Sequence, residues 1–278
     1  MLFDSHLHIV DRNRLAYPWL ADAGALNRDS LYEDYAREAK RLGITDTLHM
    51  EVDVAEIDIE RETDYVKSLS REPGSLLRGA IAACRPESKD FPAYFERVLA
   101  DPFVKGFRRV LHVVPDDVSE GALFRENLKR LAGTRLTFDL CVLPHQISKA
   151  IVLADLNPNV QFILDHCGVP AIKKQLSEVW SAGISDIAKR PNVIVKISGI
   201  VAYAEPDNWT PETLRPYVEH CITSFGWDRV IWGSDWPVCT LGGNLSTWVA
   251  ATHALTQGVS TDERDRLYHL NAKRLWSL

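Results

Sequence analysis

Leu2-Phe3-Asp4-Ser5-His6-Leu7-His8 opens the chain as a short, mostly apolar run that ends in two histidines. Side chains two apart along a strand share a face, so both imidazoles can point to one side of a sheet. In a doubly wound α/β sheet the first strand typically leads into a glycine-rich phosphate loop. A His-Leu-His ending speaks instead for a closed parallel barrel, whose chemistry sits at the C-terminal ends of its strands.

Seven further apolar, β-branched-rich runs follow: Ile44–Val52, Leu77–Ala83, Val104–Leu111, Leu136–Leu143, Val160–His166, Val193–Ser198 and Val230–Ser234. Several are continuously apolar rather than alternating, as expected of parallel strands covered on both faces. Helical spacing fills the intervals. Leu31–Leu42 stops at Gly43 and Leu123–Leu131 at Gly133, where a helix-terminating glycine belongs. Leu214, Tyr217, Val218, Cys221, Ile222 and Phe225 recur at helical intervals behind Pro211, and Ser260-Thr261-Asp262-Glu263 has the pattern of a capping box. Eight strand–helix units, with no linker or low-complexity tract, predict an α/β protein with one domain over residues 1–278, a single (β/α)8 TIM barrel.

Composition narrows the function. The 278 residues are 46% hydrophobic and 25% charged, enough for a large core, and the formal charge of −6 argues against a nucleic-acid or anionic-membrane surface. The N-terminus lacks a signal-peptide pattern, and no apolar run approaches the roughly 20 residues of a membrane helix. Five scattered cysteines without a CxxC pair suggest free thiols in a reducing compartment, so the cytoplasm is the expected location.

The strand ends supply the candidate chemistry. His166 ends the sixth run and Asp235 the eighth, so His6, His8, His166 and Asp235 can converge at one barrel mouth. A lone aspartate after a strand usually caps a loop, but groups suited to a metal or a hydrolytic water at three strand ends are a rarer coincidence. Arg108 and Arg109 alternate in the fourth unit, so only one points inward; an inward arginine offers a fork for oxyanions. Glu51 ends the second run as a further ligand or a supporting partner. Arg85, His145 and Lys196 lie near later strand ends, where a structural ion pair competes with any catalytic role.

With these residues the chain resembles the amidohydrolase superfamily. More narrowly it resembles the branch of L-fuconolactonase, L-rhamnonolactonase, 4-sulfomuconolactonase and 2-pyrone-4,6-dicarboxylate lactonase. The likeness runs through Asp4-Ser5-His6-Leu7-His8, Tyr17-Pro18-Trp19-Leu20, Gly106-Phe107-Arg108, Asp165-His166-Cys167-Gly168-Val169-Pro170, Val195-Lys196-Ile197-Ser198-Gly199, Gly233-Ser234-Asp235-Trp236-Pro237-Val238 and Asn271-Ala272-Lys273-Arg274-Leu275. It implies an amidohydrolase-type barrel in which Asp235 is the general base and His166 and Arg108 assist catalysis. His6 and His8 then hold one divalent metal such as zinc with Asp235, joined by Glu51 or His166, or polarise the ring carbonyl without metal; both forms stay open. Phe138-Asp139-Leu140-Cys141 offers no lysine for a carbamate bridge, which argues against a binuclear centre.

The expected reaction is water attack on a small lactone, in first place a sugar-acid lactone such as L-fucono- or L-rhamnono-lactone. Its contacts are expected from His6, His8, Arg108, His112, Trp19 and Trp236, and the indole of Trp209 could pack on a ring as well. The alternatives are a carboxylated lactone from aromatic breakdown, a metal-dependent non-oxidative decarboxylase, and a non-catalytic barrel that only binds a sugar acid.

Overall fold

The computed structural model describes residues 1–174 and 177–278 of the chain. Eight parallel strands pair in chain order: β1 (Leu2–Leu7), β2 (Ile44–Met50), β3 (Leu77–Ala83), β4 (Val104–Val110), β5 (Thr137–Cys141), β6 (Phe162–Leu164), β7 (Val193–Ser198) and β8 (Val230–Gly233). They are buried almost throughout, which explains their continuously apolar sequences.

Helices α1 (Tyr32–Arg41), α2 (Ile59–Ser70), α3 (Phe91–Leu99), α4 (Ala122–Leu128), α5 (Ile147–Leu156), α6 (Glu178–Ile187), α7 (Pro211–Phe225) and α8 (Leu245–Leu255) follow the strands in turn. The result is a (β/α)8 barrel. Contacts between β1 and β8 close it near the mouth, where the His8 amide donates to the Trp236 carbonyl (2.8 Å) and the Asp235 amide to the His6 carbonyl (2.8 Å).

The opposite end is filled by side chains. Phe3, Ile81, Ile163, Ile194 and Ile231 form an inner apolar layer, and Trp276 stacks on Phe3 at 6.1 Å between ring centres. Trp276 arrives on the terminal helices α9 (Thr261–Asp265) and α10 (Asn271–Trp276). Their start is the expected capping box: Ser260 Oγ accepts from the Glu263 amide (3.2 Å) and Glu263 accepts from the Ser260 amide (2.9 Å).

Strict alternation fails at one informative place. Phe3 faces the interior, so a regular strand would turn His6 and His8 outward. The β1–β2 pairing shifts register between Asp4 and Leu7, and the Asp4 carboxylate pins the irregular backbone by accepting from the amides of His6 (3.1 Å) and Ser234 (2.7 Å). The imidazole of His6 is thereby turned inward, while Leu7 joins the outer core between sheet and helices.

The sixth strand is also shorter than expected. His166 and Cys167 take left-handed backbone angles (φ 51° and 54°), which end the ladder at Leu164 and turn the His166 side chain into the mouth. All five cysteines are free and buried. Among the described residues no helix is long and apolar enough to cross a membrane.

Candidate active site

His6 and His8, from the first strand end, meet Asp235 from the eighth. Their Nε2 atoms are 3.2 Å apart. Asp235 Oδ1 lies 3.3 Å from His8 Nε2 and 3.6 Å from His6 Nε2, and Oδ2 is 3.7 Å from His166 Nδ1. His8 Nδ1 is 3.0 Å from the Met50 carbonyl, which can only accept, so Nδ1 carries the proton and Nε2 presents a lone pair. His166 shares a hydrogen bond with Ser198 Oγ (2.9 Å), which fixes its ring against β7.

Burial sets the charge state. Desolvation, reinforced by Arg108, pushes His8 down to about 3, and desolvation with Lys196 nearby holds His6 well below the usual imidazole range. Both rings are neutral, the form in which imidazole binds a cation. Burial raises Asp235 to about 6, against the pull of His166 and Arg108, so it is chiefly ionised at neutral pH.

Beneath this group lies a buried ionic layer. Lys196 donates to Asp139 (2.6 Å) and stands 2.9 Å from Asp165 Oδ1 and 3.2 Å from His6 Nδ1. Burial opposes charge on both Lys196 and Asp165. Mutual attraction outweighs it: Asp139 and Asp165 raise Lys196, and Lys196 with His6 holds Asp165 well below the usual carboxylate range. Arg108 donates to Glu51 Oε1 (2.6 Å) and to the Glu51 carbonyl (2.7 Å), leaving Nη1 3.4 Å from His6 Nε2 and 3.6 Å from Asp165.

A cavity of about 340 Å³ opens above, lined by His8, His166, Asp235, Arg108, His112 and Trp19 among others. Not every expected residue reaches it: His6, expected among the substrate contacts, is fully buried beneath His8 and Asp235 and does not line the cavity. Trp236 does not line the cavity: the residue after Asp235 turns the other way, and its buried indole packs 5.5 Å from the Tyr35 ring. Trp209 is likewise turned aside, its Nε1 donating to the Gly242 carbonyl (2.6 Å).

Glu51 is not placed as a metal ligand, because Arg108 takes one carboxylate oxygen and the Asp53 amide the other (2.7 Å). Arg109 points to the opposite face and pairs with Glu87 (2.9 Å), as alternation requires. Arg85 pairs with Asp53 (3.3 Å), and His145 is exposed on a turn after β5.

Four contributors escaped the sequence reading. Asp139 and Asp165 anchor the ionic layer, and a charged residue inside an apolar strand was the available signal for the first. Cys141 Sγ sits 3.2 Å from His112 Nδ1, and Tyr203 lines the cavity with its ring edge to His166. Neither carries a spacing that sequence could reveal.

Gly199 packs directly beneath Asp235. Its φ is +54°, and a Cβ there would come within 2.2 Å of the Asp235 Cβ. Gly199→Ala should therefore displace the carboxylate and lower kcat/KM by about 100-fold or more, the usual cost of a misplacement near 1 Å. Wild-type kinetics from this variant would show that the position of Asp235 is unimportant.

Comparison with known proteins shows the family and the fold. The family model described as Amidohydrolase matches residues 3–278. The L-fucono-1,5-lactonase of Burkholderia ambifaria is 28% identical, over 88% of this chain and 86% of its own. The 4-sulfomuconolactone hydrolase of Rhizobium radiobacter is 24% identical, over 84% of this chain and 75% of its own. A crystal structure of an amidohydrolase from Burkholderia multivorans with bound zinc superposes with a TM-score of 0.88 at 23% identity, covering 100% of this chain and 99% of that one.

Proposed function

Since the chain belongs to the amidohydrolase family, we propose that it hydrolyses a small, uncharged lactone with Asp235 as general base. One observation carries this reading: an ionised carboxylate held between neutral imidazoles, its oxygens 3.3–3.7 Å from His8, His6 and His166, at the floor of a closed-barrel cavity. Asp235 takes a proton from water as the water oxygen bonds to the ring carbonyl carbon. Arg108 Nη1, beside His6 Nε2, is a donor available to stabilise the developing oxyanion. Breaking the ring C–O bond releases an alkoxide, which receives the proton held by Asp235, so acid and base roles return to their starting state.

The donor set also fits one divalent cation. His6 Nε2, His8 Nε2 and Asp235 Oδ1 are separated by 3.2, 3.3 and 3.6 Å, close to the roughly 3.4 Å edge of a tetrahedron with metal–ligand bonds of about 2.0–2.1 Å. Charge points the same way. Glu51, Asp165 and Asp235 are three buried carboxylates set against two buried cations, Arg108 and Lys196, while burial raises Asp139 to about 7. A bound Zn2+ would supply Lewis-acid polarisation of the carbonyl. Calorimetric titration of chelator-treated protein should give one equivalent of Zn2+, with His6→Ala and His8→Ala abolishing it; unchanged binding by both variants would remove these residues from the ligand set.

An uncharged substrate follows from the guanidinium groups. Arg109 and Arg85 are each paired with a carboxylate, and Arg108, paired with Glu51, keeps only Nη1 beside His6 and Asp165, so no guanidinium fork is left to meet a substrate carboxylate or sulfonate. This speaks against a charged lactone such as the one named for the 4-sulfomuconolactone hydrolase relative. A pH-indicator panel of lactones, with and without added Zn2+, tests the reading. Proton release without gas supports it, and CO2 from an aromatic acid would assign decarboxylation instead.

A further inference from the structure

We infer that the site selects a lactone carrying an alkyl or aryl substituent on the side remote from its carbonyl, where a sugar lactone carries hydroxyls; this rests on the lactone-hydrolase reading above. The cavity is divided by polarity. Its hydrogen-bonding groups cluster at the floor, around Asp235, His8, His166, Arg108 and His112. The wall above is built from Val10, Leu20, Leu26, Val52 and Val238, supplied largely by the long connection after β1 and the chain following β2 and β8.

On that side the indole N–H of Trp19 and one oxygen of Asp53 are already engaged. Trp19 presents only its ring, because Nε1 donates to the Val52 carbonyl (2.8 Å). Asp53, at the edge of this wall, accepts from Arg85 through Oδ1 (3.3 Å). Hydroxyls seated against Val10, Leu20, Leu26, Val52 and Val238 would surrender their hydrogen bonds to water and find no side-chain partner on those residues in exchange. Methylenes placed there gain from burial, by about fourfold in binding per group. Binding energy from a remote substituent of this kind can serve the reacting centre as well as affinity.

The test compares γ-butyrolactone, γ-valerolactone, γ-hexanolactone and γ-octanolactone with D-galactono-1,4-lactone on the wild-type protein. Expected is a kcat/KM that climbs about fourfold per methylene until the wall is filled, with the hydroxylated lactone at least about tenfold below γ-octanolactone. Leu26→Asn, which places an amide in the wall, should flatten the alkyl series and narrow the gap to the hydroxylated lactone. A higher kcat/KM for D-galactono-1,4-lactone than for every alkyl lactone overturns the inference and leaves lactone hydrolysis standing. Turnover of no lactone in either class ends both readings.

Discussion

Asp235→Asn should fold like the wild type and open lactones about 10²–10⁴-fold more slowly, the range lost when a positioned general base is removed. The substitution is close to isosteric, and asparagine tolerates the left-handed backbone (φ 56°) that Asp235 adopts. The amide-to-carbonyl bond from residue 235 to His6 belongs to the main chain and survives. What disappears is the ability to take a proton. The neutral amide also offers a weaker oxygen beside His6 and His8, so Zn2+ titration of the same variant separates loss of base from loss of a ligand. An unchanged thermal midpoint with collapsed kcat/KM is the expected pair of results. Wild-type turnover from this variant would dismiss Asp235 as the base.

Lys196→Met should cost stability rather than chemistry alone. The ammonium is fully buried and holds two fully buried carboxylates, Asp139 at 2.6 Å and Asp165 at 2.9 Å. Methionine matches the stem of the lysine but leaves those carboxylates uncompensated, and breaking a buried pair in this way costs about 3–5 kcal/mol. For a chain of this size that lowers the thermal midpoint by roughly 10 °C. Adding Asp139→Asn removes one of the stranded charges and should recover part of the loss, because sites within one network are not additive. If Lys196→Met melted with the wild type, the ionic layer would not be a structural element of the barrel.

The strand pattern was legible because it follows from burial: a parallel strand covered on both faces must be apolar nearly throughout. β3 (Leu77–Ala83) and β7 (Val193–Ser198) fall on the expected residues. The misjudged sixth strand is equally instructive, since the left-handed turn at His166 and Cys167 leaves no mark in residue type. The candidate site was legible only as strand ends. His6, His8, His166 and Asp235 could be named from their positions, whereas Trp236 was misassigned because its indole is seated on Tyr35, away from the cavity.

The sequence by itself determined the barrel and the identity of the groups at its mouth, because apolar periodicity and strand-end position are local properties of the chain. Only the tertiary structure decided which way those groups face. Alternation counted from Phe3 sends His6 outward. A carboxylate on Asp4, held by the main-chain amides of His6 and of Ser234, the latter 230 residues away, bends β1 and turns the ring inward. Likewise, Lys196, Asp139 and Asp165 become one ionic layer only when β5, β7 and the turn after β6 bring both carboxylates within 3 Å of the ammonium. Electrostatic pairing acts through space, and no spacing along a sequence records it.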